Sequence, residues 1–152
     1  MLKALRTRMQ DDKGFTLIEL MVVVLIIAIL IAIAIPTFLG LRRRAQDRAS
    51  QSDLRNGLTA AKAFYTDGES YTGFDVATAE GIEPSLNFDD DGTVATDEVE
   101  ILAAADQEVV LASLSESTQD FCISDSSTLG TARGIGAPAA ATHAACAALP
   151  QW

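Results

Sequence analysis

Catalytic equipment is scarce in this chain. Its 152 residues include one histidine, two cysteines and one tryptophan, and aromatic residues make up only 6%. The histidine, His143, sits in an alanine-rich stretch with no nucleophile pattern beside it, and no phosphate-binding glycine loop occurs. Enzymatic chemistry is therefore not expected. Cys122 and Cys146 lack the close spacing of a redox or zinc motif, so structural pairing is their default, and one disulfide formed in an oxidising compartment suits them. Basic residues all but disappear after position 62, where Arg133 stands alone against sixteen acidic groups, a net charge of −15. So acidic a surface stays soluble and repels nucleic-acid phosphate, which argues against direct, sequence-specific DNA binding. The length leaves room for one domain beside a hydrophobic segment and excludes a multidomain enzyme.

Charge is missing from one further place. Residues 20–41 contain no ionisable side chain, and as a helix of about 1.5 Å per residue they would be about 33 Å long, enough to cross a bilayer core of about 30 Å. Glu19 stands at the mouth of this run, five residues after Gly14. A carboxylate at the centre of such a span costs about 2.5–3.5 kcal/mol, less near its end, so it calls for a partner or a purpose. Pro36 lies within the run, where it removes a backbone donor and crowds the carbonyl of Ala32, so a bend or a loosened turn is expected there.

The order of these residues carries a resemblance. A short basic leader, then Gly14, Phe15 and Glu19, then an apolar helix containing Pro36, resembles the N-terminus of type IV prepilins over residues 1 to about 40. The resemblance implies cleavage between Gly14 and Phe15 by a prepilin peptidase, which also methylates the new amine of Phe15. It implies that Glu19 helps a subunit enter a growing filament by pairing with the terminal amine of a neighbour. An α-amine with a pKa near 8 is mostly cationic at neutral pH and keeps its charge when methylated, so in an apolar filament core the two ions would neutralise each other. Two plainer readings compete. A secretory signal peptide would use Ala32-Ile33-Ala34 as its cleavage pattern, but its apolar region is normally about 7–15 residues and free of glutamate. A simple signal anchor explains the apolar length and leaves the order of Gly14, Phe15 and Glu19 to coincidence.

Lys3, Arg6, Arg8 and Lys13 precede the span while Arg42, Arg43, Arg44 and Arg48 follow it, so charge alone does not orient it. The resemblance implies a cytoplasmic leader and an exported head, in agreement with the cysteines. Beyond the span, Leu54, Leu58, Ala61 and Tyr65 fall on one helical face, and Asp67-Gly68 offers a stop. One long helix is expected from about Phe15 to Tyr65, its second half lying against the head. Residues 67–97 read as a long irregular connection. Runs at 99–102, 108–114 and 120–124 read as an antiparallel meander. The tail from Gly130 has little periodicity, and a Cys122–Cys146 bridge would tie it down.

The expected fold is thus α+β and type IV pilin-like: a long N-terminal hydrophobic helix packed on a small antiparallel β-sheet, with a C-terminal disulfide loop. The expected divisions are a cleaved leader (1–14), a transmembrane or filament-core helix (15–41), its amphipathic continuation (42–66) and an exported head (67–152). The expected function is that of a type IV pilus subunit, a homopolymer built by an assembly platform from precursors held in the cytoplasmic membrane and ending outside the cell. A pseudopilin of a secretion or DNA-uptake machine and a non-polymerising membrane-anchored binding module are the alternatives. No cofactor is required, but residues 87–98 fit a calcium loop, with Asn87, Asp89 and Asp91 at alternate positions, Gly92 at the turn, the carbonyl of Thr93, and Glu98 closing the shell. A solvated acidic turn is the competing reading.

Overall fold

The computed structural model describes residues 14–152. The basic residues of the expected leader and the remainder of 1–13 lie outside the described residues. The chain divides into two compact units, Met1–Gly40 and Leu41–Trp152.

In the first unit the described residues are helical from Leu17 onward, the beginning of α1 (Leu17–Gly68). Pro36 lies inside α1 without ending it, and the hydroxyl of Thr37 donates to the carbonyl of Ile33. Every described residue of this unit is exposed.

In the second unit α1 buries one face, and the expected positions Leu54, Leu58 and Ala61 are all in the core, with Tyr65 packed against its margin. The helix runs past the expected stop. It includes Gly68, and the left-handed position that closes it is taken by Glu69 (φ +53°), whose amide donates to the carbonyl of Tyr65 at 2.7 Å. A side chain with a Cβ is strained there by about 1–2 kcal/mol. Glu69→Gly is expected to raise stability by about 1 kcal/mol, read as a higher urea midpoint at unchanged m-value.

The connection expected to be irregular contains α2 (Val76–Ile82) and β1 (Phe88–Asp89). Asp75 caps α2 by accepting from the amide of Thr78 at 2.9 Å. Then follow β2 (Val99–Ala105), β3 (Glu108–Leu114), β4 (Asp120–Ser126), β5 (Gly130–Ile135) and α3 (His143–Ala147). The sheet order is β1-β2-β3-β4-β5. The meander is antiparallel from β2 to β5, while β1 pairs with β2 in parallel, Phe88 with Val99 and Asp89 with Glu100.

Alternation along the strands gives the sheet two faces. Val99, Ile101, Val109, Leu111, Phe121 and Ile123 join Leu54, Leu58 and Ala61 of α1 in the main core. Gly57 lets helix and sheet approach closely, since a Cβ there would meet Val99 at 3.2 Å and Leu111 at 3.3 Å. On the opposite face, Ala112 and Cys122 pack against Cys146 of α3, with Val94, Leu102 and Leu149 around them.

A polar network joins α1 to the sheet. Asp125 of β4 accepts from the hydroxyls of Tyr71 at 2.7 Å and Thr131 at 2.6 Å and pairs with Lys62 at 2.8 Å. Burial pushes the Asp125 carboxyl up, but the hydrogen bonds from Lys62, Thr131 and Tyr71 and the charge of Lys62 together outweigh it and hold the carboxyl below its usual value. Because the folded pKa lies below the unfolded one, this contribution is complete above about pH 4 and fades as pH falls through the folded value. Asp125→Asn is therefore expected to cost about 2 kcal/mol at pH 7 and progressively less toward pH 2, measured as the difference between variant and parent unfolding free energies across that range.

Candidate functional site

Nineteen large apolar side chains between Phe15 and Leu41 are solvent-exposed, Phe15 by 84%. α1 is long and apolar enough to cross a membrane, and none of its most apolar window is buried inside the chain. Covering a large aliphatic side chain gains about 1.5–3 kcal/mol, so this surface represents tens of kcal/mol of unrealised burial. Lipid or other apolar helices can supply it.

The polar entry to this surface is built locally. Thr16 precedes the first residue of α1, and its amide and hydroxyl both donate to Oε2 of Glu19, at 2.9 and 2.6 Å. The amide of Glu19 donates back to the Thr16 hydroxyl at 3.3 Å. This is a capping box, in which the cap residue and the third helical residue satisfy each other's orphan groups. Sequence reasoning missed the role of Thr16, although the spacing Thr16-x-x-Glu19 signals it. Among the described residues, both bonds to the carboxylate fall on Oε2. Gly14 is exposed, and a Cβ there would touch nothing within 4 Å.

The remaining predicted positions lie in the second unit. Cys122 of β4 and Cys146 of α3 form a disulfide. Gly134 of β5 sits opposite Cys122, and a Cβ on it would come within 2.7 Å of the Cys146 carbonyl and 2.9 Å of Cys122 Sγ, so glycine is what lets the bridge lie on the sheet. His143 is buried, with Nδ1 3.1 Å from the hydroxyl of Ser124. Trp152 donates from Nε1 to the carbonyl of Cys122 at 3.2 Å, and the guanidinium groups of Arg55 and Arg133 lie 4.8 and 5.4 Å from its ring centroid.

In the acidic segment, Asp89 and Glu98 come together with Glu100, which sequence reasoning had not singled out. The carbonyl of Asn87 accepts from the amide of Val99, and Oδ1 of Asp91 accepts from the amide of Thr93 at 2.7 Å. Burial pushes the Glu100 carboxyl up, helped by the charges of Asp89, Asp91 and Glu98, while the Gly92 amide opposes the shift.

These features define a class: a protein with one exposed apolar helix, capped by a carboxylate at its mouth, joined to an α+β domain closed by a disulfide. Comparison narrows the class. The family described as "Prokaryotic N-terminal methylation motif" matches residues 9–35. The type IV major pilin protein of Myxococcus xanthus is 44% identical over 63 residues, 41% of this chain and 29% of that relative. The type IV wide pilus major component of Thermus thermophilus is 44% identical over 64 residues, 42% of this chain and 49% of the relative. The type IV major fimbrial protein of Dichelobacter nodosus is 39% identical over 86 residues, 54% of each chain. The chain thus spans about a third to a half of the curated relatives it matches. No solved structure matches it. The N-terminal segment is similar to that of type IV pilins, and the apolar helix, five-stranded sheet and disulfide are consistent with an α+β pilin-like fold.

Proposed function

We propose that this chain is the structural subunit of a type IV pilus, cut after Gly14, methylated on Phe15, held by its apolar helix in the cytoplasmic membrane and then polymerised into an extracellular filament. The observation that carries this reading is the exposed apolar stretch of α1 behind the ordered set Gly14, Phe15 and Glu19. Once out of lipid, that surface must be covered by identical helices, and head-to-tail contacts that do not close produce a filament.

Cleavage would create a cationic amine on Phe15, one residue before the helix cap. The positive end of the helix dipole already lies there, so the amine gains from a carboxylate that its own helix does not fully use. Oε1 of a neighbour's Glu19 supplies one, while Oε2 keeps its cap. The pair then neutralises two charges that an apolar filament core would otherwise reject. The partners are identical subunits, a prepilin peptidase with its methyltransferase activity, and an assembly platform. The role is structural, with no catalytic step and no cofactor required.

Processing can be tested at Gly14. Gly14→Val, placed in open space, is expected to leave the chain full length and membrane-bound with no filaments. Electrophoretic mobility and electron microscopy of the native host read both effects. Wild-type cleavage and filament number in this variant would contradict the assignment.

A further inference from the structure

The parallel pairing of β1 with β2 sets Asp89 beside Glu100, on the strand positions alternate to Phe88 and Val99, which pack in the main core. Glu98 immediately precedes β2. Carboxylate oxygens of Asp89, Glu98 and Glu100 all lie within 4.8 Å of one another. The chain from residue 90 to 98 returns over them, with Gly92 in a left-handed turn (φ +85°) whose amide donates to Oε1 of Glu100 at 2.7 Å. Glu100 is 0% exposed, and its second oxygen, Oε2, is buried without a hydrogen-bond partner among the described residues. A buried carboxylate with an orphaned oxygen, facing two further carboxylates, is costly unless something positive sits among them.

We propose that Asp89, Glu98 and Glu100 form a calcium site. The donors are hard carboxylate oxygens, which suit calcium or magnesium rather than a thiolate- or imidazole-seeking metal. Two oxygens on one calcium ion lie up to about 4.6–5.2 Å apart, so carboxylate oxygens within 4.8 Å of one another are close enough to share one, and magnesium, which keeps several waters and is rarely held by an all-protein carboxylate cage, suits the cluster less well. One divalent ion balances two of the three negative charges, gives Oε2 of Glu100 its missing partner, and ties β1 and the 90–98 segment to β2. β1 is only two residues long, so this tie acts where the sheet is weakest. The ligand set differs from the loop spacing visible in the sequence: Asp91 spends its carboxylate on the Thr93 amide, and Glu100 takes its place. The affinity expected, about 10⁻⁴–10⁻³ M as in extracellular calcium modules, rests on the export proposed above. Binding by the purified protein does not depend on filament assembly.

The test is thermal unfolding of the full chain in detergent micelles, stripped with a chelator and titrated with calcium chloride to about 10 mM, beyond the expected dissociation constant. The parent is expected to melt about 5 °C higher at saturation, with magnesium at least about tenfold less effective by concentration. Glu100→Gln keeps the Gly92 hydrogen bond and the side-chain volume, and it should abolish the calcium shift while matching or exceeding the stripped parent's stability. Glu98→Gln, at a half-buried position, should weaken the response if Glu100→Gln proves poorly folded. Asp91→Asn should retain the shift. No calcium shift in the parent, an equal response to magnesium, or a shift that survives Glu100→Gln but is lost in Asp91→Asn would overturn the site.

Discussion

Glu19→Ala is expected to remove filaments while leaving the chain in the membrane. Truncating one partner of a buried, hydrogen-bonded ion pair costs about 2–5 kcal/mol, which is at least about thirtyfold in each subunit's association constant, and a polymer repeats that loss at every joint. Insertion is unaffected because residues 20–41 remain uninterrupted. Alanine also removes the cap shared with Thr16, worth about 0.5–2 kcal/mol, so a second variant has to separate cap from charge. Glu19→Gln keeps an acceptor for the Thr16 amide, as capping boxes accept either residue, but carries no charge to meet a neighbour's amine. It is expected to fail in assembly as Glu19→Ala does, read by counting sheared filaments against membrane-fraction protein. Filaments restored by glutamine would reduce Glu19 to a helix cap.

Removing the disulfide should produce the largest change in the stability of the second unit. Closing a loop of 24 residues is worth about 3.5 kcal/mol on the chain-entropy model. The segment it holds has little else. α3 is five residues long, far below the length at which a helix persists alone, and its two buried residues are Cys146, packed on Cys122 and Ala112, and His143, beside the Ser124 hydroxyl. Cys122→Ser with Cys146→Ser, or reduction of the parent, is expected to lower unfolding free energy by about 2–5 kcal/mol in urea titration. An unchanged midpoint would mean that Trp152 with its two arginines, His143 with Ser124, and the backbone bond from Ile135 to the Pro150 carbonyl hold the segment unaided.

What the sequence made legible follows from how local each signal is. The apolar helix, its carboxylate and the buried face at Leu54, Leu58 and Ala61 depend only on spacing along one helix. β2, β3 and β4 are runs of apolar residues between turns, and each extends as read or by two or three residues more. β5 was not legible, because Gly130, Ala132 and Gly134 are poor strand formers and their place is set by pairing with β4 and by the bridge beneath Gly134. α2 went unread because it is only seven residues long, too short for a helical period to show, and is held by one aspartate cap. Helix α1 overran its glycine because the left-handed turn fell one residue later, on Glu69. The acidic segment was visible as a pattern, but the partnership of Asp89 with Glu100 depends on a parallel register that no linear spacing records.

The most direct test of the filament reading is the N-terminal peptide of the mature protein from its native host, read by mass spectrometry. A peptide beginning with N-methyl-phenylalanine at Phe15 is the predicted result. A start at Met1 or after Ala34 would contradict it and leave an anchored or secreted domain.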